Sequence, residues 1–160
     1  MSVIDTLITD RTTADVAALM ALYSKPKAQW TAEEWSGFLR ANHRGAYNAS
    51  DLNRVGEAMK YVAAVLNSYG YSVRVSPKTW SIGELPTAAQ LDPYLEDVRT
   101  LRAALTVLPT TPAVPADMEG LTVEEANAIE KILRDVDAQL RTMATTFVPC
   151  GGALCGGDYL

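Results

Sequence analysis

The two cysteines are the side chains of this chain best suited to chemistry, and both lie among its last residues. Cys150 and Cys155 are spaced C-x4-C, and each is followed by two glycines. A zinc site needs about four Cys or His ligands, and the only histidine, His43, lies far upstream. A redox pair would favour the spacing C-x-x-C. The pattern therefore favours cysteines used as small apolar side chains, with metal binding and catalysis as the alternatives.

The other candidates for chemistry are single polar residues. His43 could serve as a general base, but no nucleophile with an orienting acid lies near it in the sequence. A lone histidine at a helix end is more typical of a capping or surface position. Asp135 and Asp137 are two residues apart on a predicted helix, so their side chains point to different sides and cannot easily share a metal ion. We therefore expect a protein that is not an enzyme, with no catalytic residue, metal site or cofactor.

Composition and charge limit the classes of partner. The chain has 160 residues, of which 48% are hydrophobic, and a net charge of −5 from 19 acidic and 14 basic residues. This balance argues against nucleic-acid binding, because phosphate attraction requires a basic surface. The first residues lack the basic and apolar regions of a secretory signal, and no apolar run approaches the ~20 residues of a membrane-spanning helix. We expect synthesis in the cytoplasm and no membrane insertion.

Residues 149–160, here called the C-terminal arm, differ from the rest of the chain. The arm contains four glycines and both cysteines. Ordering each residue costs about 1–2 kcal/mol, and glycine loses the most freedom, so the arm is too Gly-rich to hold a conformation alone. It is also too apolar for an ordinary frayed terminus. We expect it to become ordered against a partner, for example by adding a strand to a neighbour. The expected contact residues are Val148, Cys150, Leu154, Cys155, Tyr159 and Leu160.

The elements that must position these residues are mainly helical. Apolar residues spaced by three and four, with capping signals before them, predict five helices at about 13–23, 31–40, 50–69, 87–105 and 122–147. Three of these helices begin with a capping-box pattern, at Thr31/Glu34, Thr87/Gln90 and Thr122/Glu125. On the last helix, Glu130–Arg134 and Asp137–Arg141 have the i,i+4 spacing of ion pairs on a solvent-exposed face.

Between the helices, three connecting features stand out. In Tyr71–Val75, apolar and polar residues alternate and two of the residues are β-branched valines, which predicts one short strand. Trp80 is expected to anchor the following turn-rich segment to the helices. Residues 108–116 carry three prolines at every third position, the period of polyproline II, and form a stiff connection. The predicted architecture is a mainly α bundle over residues 1–148, with one short β element and an extended Gly-rich arm at 149–160.

Four phrases of the sequence, in order along nearly the whole chain, carry a resemblance. They are Ile8-Thr-Asp-Arg-Thr-Thr-Ala-Asp-Val16, Gly45-Ala-Tyr-Asn-Ala-Ser-Asp-Leu-Asn-Arg-Val55, Pro86-Thr-Ala-Ala-Gln-Leu91 and Gly120-Leu-Thr-Val-Glu-Glu-Ala-Asn-Ala-Ile-Glu-Lys-Ile132. Together they resemble a domain of predicted virion proteins, mainly tail- or baseplate-associated, from phages and prophages of gut Gram-positive anaerobes. That family often ends in a doubled aromatic-Ser-Gly-Glu phrase, where this chain has Cys-Gly-Gly and Leu-Cys-Gly-Gly.

The resemblance implies a structural or assembly protein of a bacteriophage or prophage particle, as a tail or baseplate component or an adaptor. It would be made in the host cytoplasm, assembled into the tail region of the virion, and bound as an oligomer to other virion proteins or to copies of itself. The alternative is a small prophage-encoded binding or regulatory protein that acts on a host factor. The residues by themselves indicate an interaction module, and the particle comes from the resemblance.

Overall fold

The fold is a helical bundle, seen in a computed structural model that describes residues 2–146. The five predicted helices are confirmed. They are α1 (Thr13–Ser24), α2 (Ala32–Arg40), α3 (Ala49–Ser68), α4 (Ala88–Ala103) and α5 (Val123–Thr146), with short 3₁₀ helices at Val3–Thr6 and Lys27–Gln29. The C-terminal arm and its expected contact residues, from Val148 to Leu160, lie outside the described residues. The division of the chain at residue 148 therefore stays a prediction.

Helices α3, α4 and α5 pack on one another and enclose the core. Each presents a stripe of apolar side chains at spacings of three and four, which places them on one face. On α5 this stripe includes Ile129, Ile132 and Val136, all fully buried. The first 3₁₀ helix closes one side of the bundle against α3 and α5, where Ile4 is buried.

Capping residues set the bounds of the helices. Thr31 and Glu34 form a reciprocal capping box at the start of α2, with the Glu34 carboxylate 2.6 Å from the Thr31 backbone nitrogen. The start of α5 repeats this arrangement with Thr122 and Glu125. Helix α3 ends before Gly70, whose φ of 90° is a conformation that glycine adopts without steric cost. These local signals explain why the helices begin and end where the sequence predicts.

The predicted strand at Tyr71–Val75 is wrong: the described residues contain no strand. The alternation itself is correct, because Val73 is buried while its neighbours Ser72 and Arg74 are exposed. A neighbouring strand is replaced by one side chain of α3. The amide of Asn67 accepts a hydrogen bond from the Val73 nitrogen at 2.8 Å and donates one to the Val73 carbonyl at 2.9 Å. The extended segment thus satisfies its buried backbone without a sheet.

Two further asparagines hold extended segments in the same way. Asn53 on α3 accepts from the Trp80 nitrogen at 2.7 Å and donates to its carbonyl at 2.8 Å. Asn127 on α5 pairs with both backbone groups of Arg11, at 3.0 and 2.9 Å. As predicted, Trp80 anchors its segment, since its side chain is buried against the bundle. Helix side chains therefore fix three extended segments that have no strand partners.

The proline-rich connection, residues 108–116, packs along the bundle. Arg102 on α4 donates to the Pro112 carbonyl at 2.7 Å, and Arg99 donates to the Ala116 carbonyl at 2.8 Å. Buried Thr111 donates its hydroxyl hydrogen to Asp135 on α5 at 2.9 Å. The connection is thus fixed to both helices that it joins.

Candidate functional surfaces

His43 lies in an open cavity of about 400 Å³ beside α1 and α2, together with Asp15, Glu34 and Arg44. The carboxylates are already engaged. Hydrogen bonds from Thr12 lower the pKa of Asp15, and hydrogen bonds from Lys25 and Thr31 lower that of Glu34. Both carboxylates therefore favour their charged form, as helix-capping groups do, and neither is tuned as a proton donor near neutral pH.

A cluster of four charged side chains, which was not predicted from the sequence, lies inside the bundle. The ion cluster consists of Arg11, Asp51, Arg54 and Glu130. Arg11 lies 2.7 Å from both carboxylates, and Arg54 lies 2.6 Å from Asp51 and 2.9 Å from Glu130. Two positive and two negative charges thus balance in the interior, which is the condition for burying them.

The ion cluster joins distant parts of the chain. The fully buried carboxylate of Glu130, on α5, also accepts a hydrogen bond from the Ile8 backbone nitrogen at 2.6 Å. Burial opposes the charge of Arg54, but Glu130 and Asp51 outweigh it and raise the pKa of this guanidinium. The arrangement fixes the first residues of the chain to α3 and α5. Both carboxylates of the cluster are paired with guanidinium groups in this arrangement.

The predicted ion pairs on α5 are corrected in part. Glu130 does not pair with Arg134 on a solvent-exposed face, because its side chain is fully buried and its partners come from other segments. Arg134 instead donates to the Leu7 carbonyl at 2.8 Å. Asp137 does pair with Arg141 at 2.6 Å, but the carboxylate is buried. The spacing of residues could have predicted this burial. Glu130 and Asp137 lie three or four positions from the buried residues Ala126, Leu133 and Leu140, on the same face of α5.

Two tyrosines, the partly buried Tyr47 and the buried Tyr94, extend the ion cluster. The hydroxyl oxygens of Tyr47 and Tyr94 lie 2.6 Å apart, and the Arg11 guanidinium lies 5.3 Å from the ring centre of Tyr47. Burial raises the pKa of both hydroxyls, and the nearby Glu130 carboxylate adds to the effect on Tyr47. Both tyrosines therefore stay neutral at physiological pH and act as hydrogen-bonding groups of the core.

Three of the four phrases that carry the family resemblance contain the ion cluster. Arg11 lies in the first phrase, Asp51 and Arg54 in the second, and Glu130 in the fourth. These phrases therefore include residues that hold the bundle together.

Helices α1 and α2 enclose an aromatic cluster of their own. The rings of Trp30 and Trp35 have centroids 5.0 Å apart and pack across the start of α2. Tyr23 stacks on Trp30, and Phe38 packs edge-on against it. Nearby Met20 on α1 is exposed, so this part of the molecule presents an apolar surface to solvent.

An apolar depression lies beside the last turns of α5, and we call it the end groove. It has a volume of about 620 Å³ and adjoins a second depression of about 320 Å³. The residues that line the end groove are Tyr71, Leu105, Thr106, Leu108, Ala138, Gln139, Thr142 and Met143. Tyr69 and Gly70 line the second depression together with Tyr71 and Met143. None of these residues carries a charge, and Leu108 is 54% exposed. The end groove is thus suited to binding apolar, uncharged groups.

One polar atom of the end groove stands out. Gln139 donates from its amide nitrogen to the Thr106 carbonyl at 3.1 Å. Its amide oxygen is buried and has no hydrogen-bond partner among the residues that the structure describes. A buried acceptor without a donor is costly, and a bound backbone N–H would satisfy it after a small local shift.

The remaining candidates from the sequence are the carboxylates of Asp135 and Asp137 and the two cysteines. Asp135 pairs with Lys131 at 2.6 Å and Asp137 with Arg141, so the two carboxylates do point apart as predicted. Within residues 2–146, no group of three or more His, Cys, Asp or Glu residues is placed to hold a metal ion. Cys150 and Cys155 lie beyond these residues. No helix of the described part combines the length and the apolar character that crossing a membrane requires.

Comparison with protein-family models, with curated proteins and with solved structures gave no match to this chain.

Proposed function

We propose that the chain is a non-enzymatic structural or assembly protein of a bacteriophage or prophage particle. It acts as a tail or baseplate component, or as an adaptor that connects such components. The observation that carries this proposal is the uncharged end groove beside the last turns of α5. In the sequence, α5 is followed within three residues by the arm, which is also apolar and rich in glycine. A binding surface and a binding segment in one repeated subunit suit assembly.

The organisation of the interior supports the same role. The buried charges balance one another within the ion cluster, where they join the first residues of the chain to α3 and α5. A subunit that is held in one conformation loses little freedom when it binds its neighbours. The four phrases that resemble tail-associated virion proteins supply the class of particle. The proposal includes the predicted partner contacts of Val148, Cys150, Leu154, Cys155, Tyr159 and Leu160.

The experiment uses particles induced from the host strain that carries the gene. The gene is deleted and replaced by the full chain, by a variant lacking residues 149–160, or by a full-length Cys150→Ser, Cys155→Ser control. We expect the full chain and the serine control to enter particles, because the cysteines act as small side chains. The truncated chain should remain helical and be lost from particles. Equal incorporation of the truncated chain would contradict the role of the arm.

The same particles separate the alternatives. A protein that is absent from purified particles and is recovered with a host protein would be a prophage-encoded regulator. An enzyme that uses its histidine or a cysteine would lose its biological activity in the His43→Ala or Cys155→Ser variant. Our proposal predicts that both variants retain activity in particle formation.

A further inference from the structure

We propose that the end groove of one copy of this chain binds the C-terminal arm of a second copy. This inference rests on the proposed function, in which the arm is an assembly contact. It adds the receptor for the arm and the direction of the contact.

The chemistry of the two surfaces matches. The ten residues that line the end groove and the depression beside it carry no charge, and residues 149–157 of the arm also carry none. The arm offers Leu154 as an apolar side chain between two glycine pairs. Glycine permits close approach of the backbone to a surface, so after a small local shift a backbone N–H can reach the buried, unpaired amide oxygen of Gln139. The volume of about 620 Å³ falls within the usual range of binding pockets, so it accommodates a few residues.

The mode of binding is a segment in a groove. Strand addition, which the arm sequence suggested, needs an exposed sheet edge on the receiving copy. Residues 2–146 contain no strand that could provide one. Apolar side chains inserted between α5 and the segments after α3 and after α4 therefore replace strand pairing.

The position of the arm in the chain favours a second copy over the groove of the same copy. The end groove adjoins the last turns of α5 itself, through Ala138, Thr142 and Met143. Binding in the same copy would require the chain to reverse soon after Thr146. Val148 precedes Pro149, and a residue before proline is biased towards extended conformations. In the proposed contact, the arm therefore extends to a second copy and does not fold back onto its own α5.

The reach of the arm is sufficient for this contact. Fourteen residues follow Thr146 in the sequence, and at about 3.3 Å per residue they span up to roughly 46 Å. This exceeds the ~36 Å length of α5 at 1.5 Å per residue. A contact from the arm of one copy to the groove of the next is head-to-tail, so repetition produces a ring or a filament.

Two complementary variants test the contact in solution, under reducing conditions that prevent intermolecular disulfides. The first lacks residues 149–160 and keeps the groove. The second, Ala138→Trp, fills the groove from an exposed position and keeps the arm. Light scattering after size-exclusion chromatography should show each variant as a monomer, and their equimolar mixture as a one-to-one heterodimer. The unmodified chain should self-associate, as should the control Ala64→Trp, which changes an exposed alanine of α3 outside the groove.

A fluorescent peptide of residues 147–160 gives a second readout. It should bind the truncated chain, and the Ala138→Trp change in that chain should weaken binding at least roughly tenfold, or by about 1.4 kcal/mol. Circular dichroism confirms that each variant is folded.

Three results would overturn the inference. In the first, the equimolar mixture of the two variants stays monomeric. In the second, the unmodified chain is monomeric and the truncated chain does not bind the fluorescent peptide. In the third, native mass spectrometry finds a small apolar molecule bound in the groove. The Ala138→Trp variant could fail to bind the arm in solution and still enter particles normally. That result would reject this inference alone and leave the proposed function intact.

Discussion

The most informative single substitution is Glu130→Gln, because it removes one charge from the buried ion cluster with almost no change of shape. The Glu130 carboxylate lies 2.7 Å from the Arg11 guanidinium, 2.9 Å from the Arg54 guanidinium and 2.6 Å from the Ile8 backbone nitrogen. After the change, two guanidinium groups share a single carboxylate, that of Asp51. Removing one partner of a buried pair costs about 3–5 kcal/mol. Such domains have a total stability of about 5–15 kcal/mol, so the loss is large.

Urea unfolding followed by far-UV circular dichroism measures this loss, and the melting temperature should fall by roughly 6–20 °C at ~2–4 °C per kcal/mol. The matched control is Glu124→Gln, an exposed carboxylate in the first turn of the same helix, which should cost at most about 1 kcal/mol. The solvent-exposed Glu130–Arg134 pair that the sequence predicted would be worth only about 0.2–0.5 kcal/mol. A cost below about 1 kcal/mol for Glu130→Gln would therefore refute the buried cluster.

A double-mutant cycle identifies the partner of Glu130. The structure predicts a coupling free energy of about 0.5–3 kcal/mol between Glu130→Gln and Arg54→Gln, because these side chains share hydrogen bonds. The same cycle with Arg134→Gln should give a coupling near zero. The opposite ranking would contradict the structure.

Three further predictions concern the core and its connections. Burial raises the pKa of Tyr47 and Tyr94, so near pH 10 these hydroxyls ionise in the unfolded chain but not in the folded protein, and stability present below that pH is lost above it. In urea unfolding, the variant with Phe at both positions should therefore lose less stability between about pH 9 and 11 than the unmodified chain. Equal losses would contradict this prediction. Gly45→Ala would place a Cβ 2.3 Å from a backbone oxygen of α1 and should cost about 1–3 kcal/mol by thermal unfolding, whereas Gly37→Ala meets only a movable side chain, so equal costs would contradict the close contact. Asn67→Ala leaves two backbone groups of the segment after α3 unpaired and should cost about 1–3 kcal/mol, with faster amide exchange in that segment, and unchanged exchange would speak against the pairing.

The helices could be predicted from the sequence because their signals are local. The capping residues of α2 and α5 lie within one turn of the groups that they bind, and the stripe on α5 repeats at helical spacing. The strand failed for a related reason. Alternation at Tyr71–Val75 reports that alternate residues are buried, but it does not identify the hydrogen-bonding partner, which here is one asparagine.

The ion cluster required information that no local pattern contains. Arg11 and Glu130 are separated by 119 positions, so their contact depends on how the first segment crosses α5. The sequence did carry half of the signal, since Glu130 lies on the apolar stripe of its helix. The end groove depends in the same way on three separate segments, after α3, after α4 and on α5, which only the fold brings together.

Quantitative mass spectrometry of purified particles tests the central claim most directly, since it asks whether this chain is part of an assembled particle. Particles induced from the host strain should contain the chain at a fixed ratio to the tail proteins, and that ratio should stay constant through successive purification steps. A chain that remains in the host lysate, or whose ratio falls towards zero as particles become purer, would contradict an assembly role.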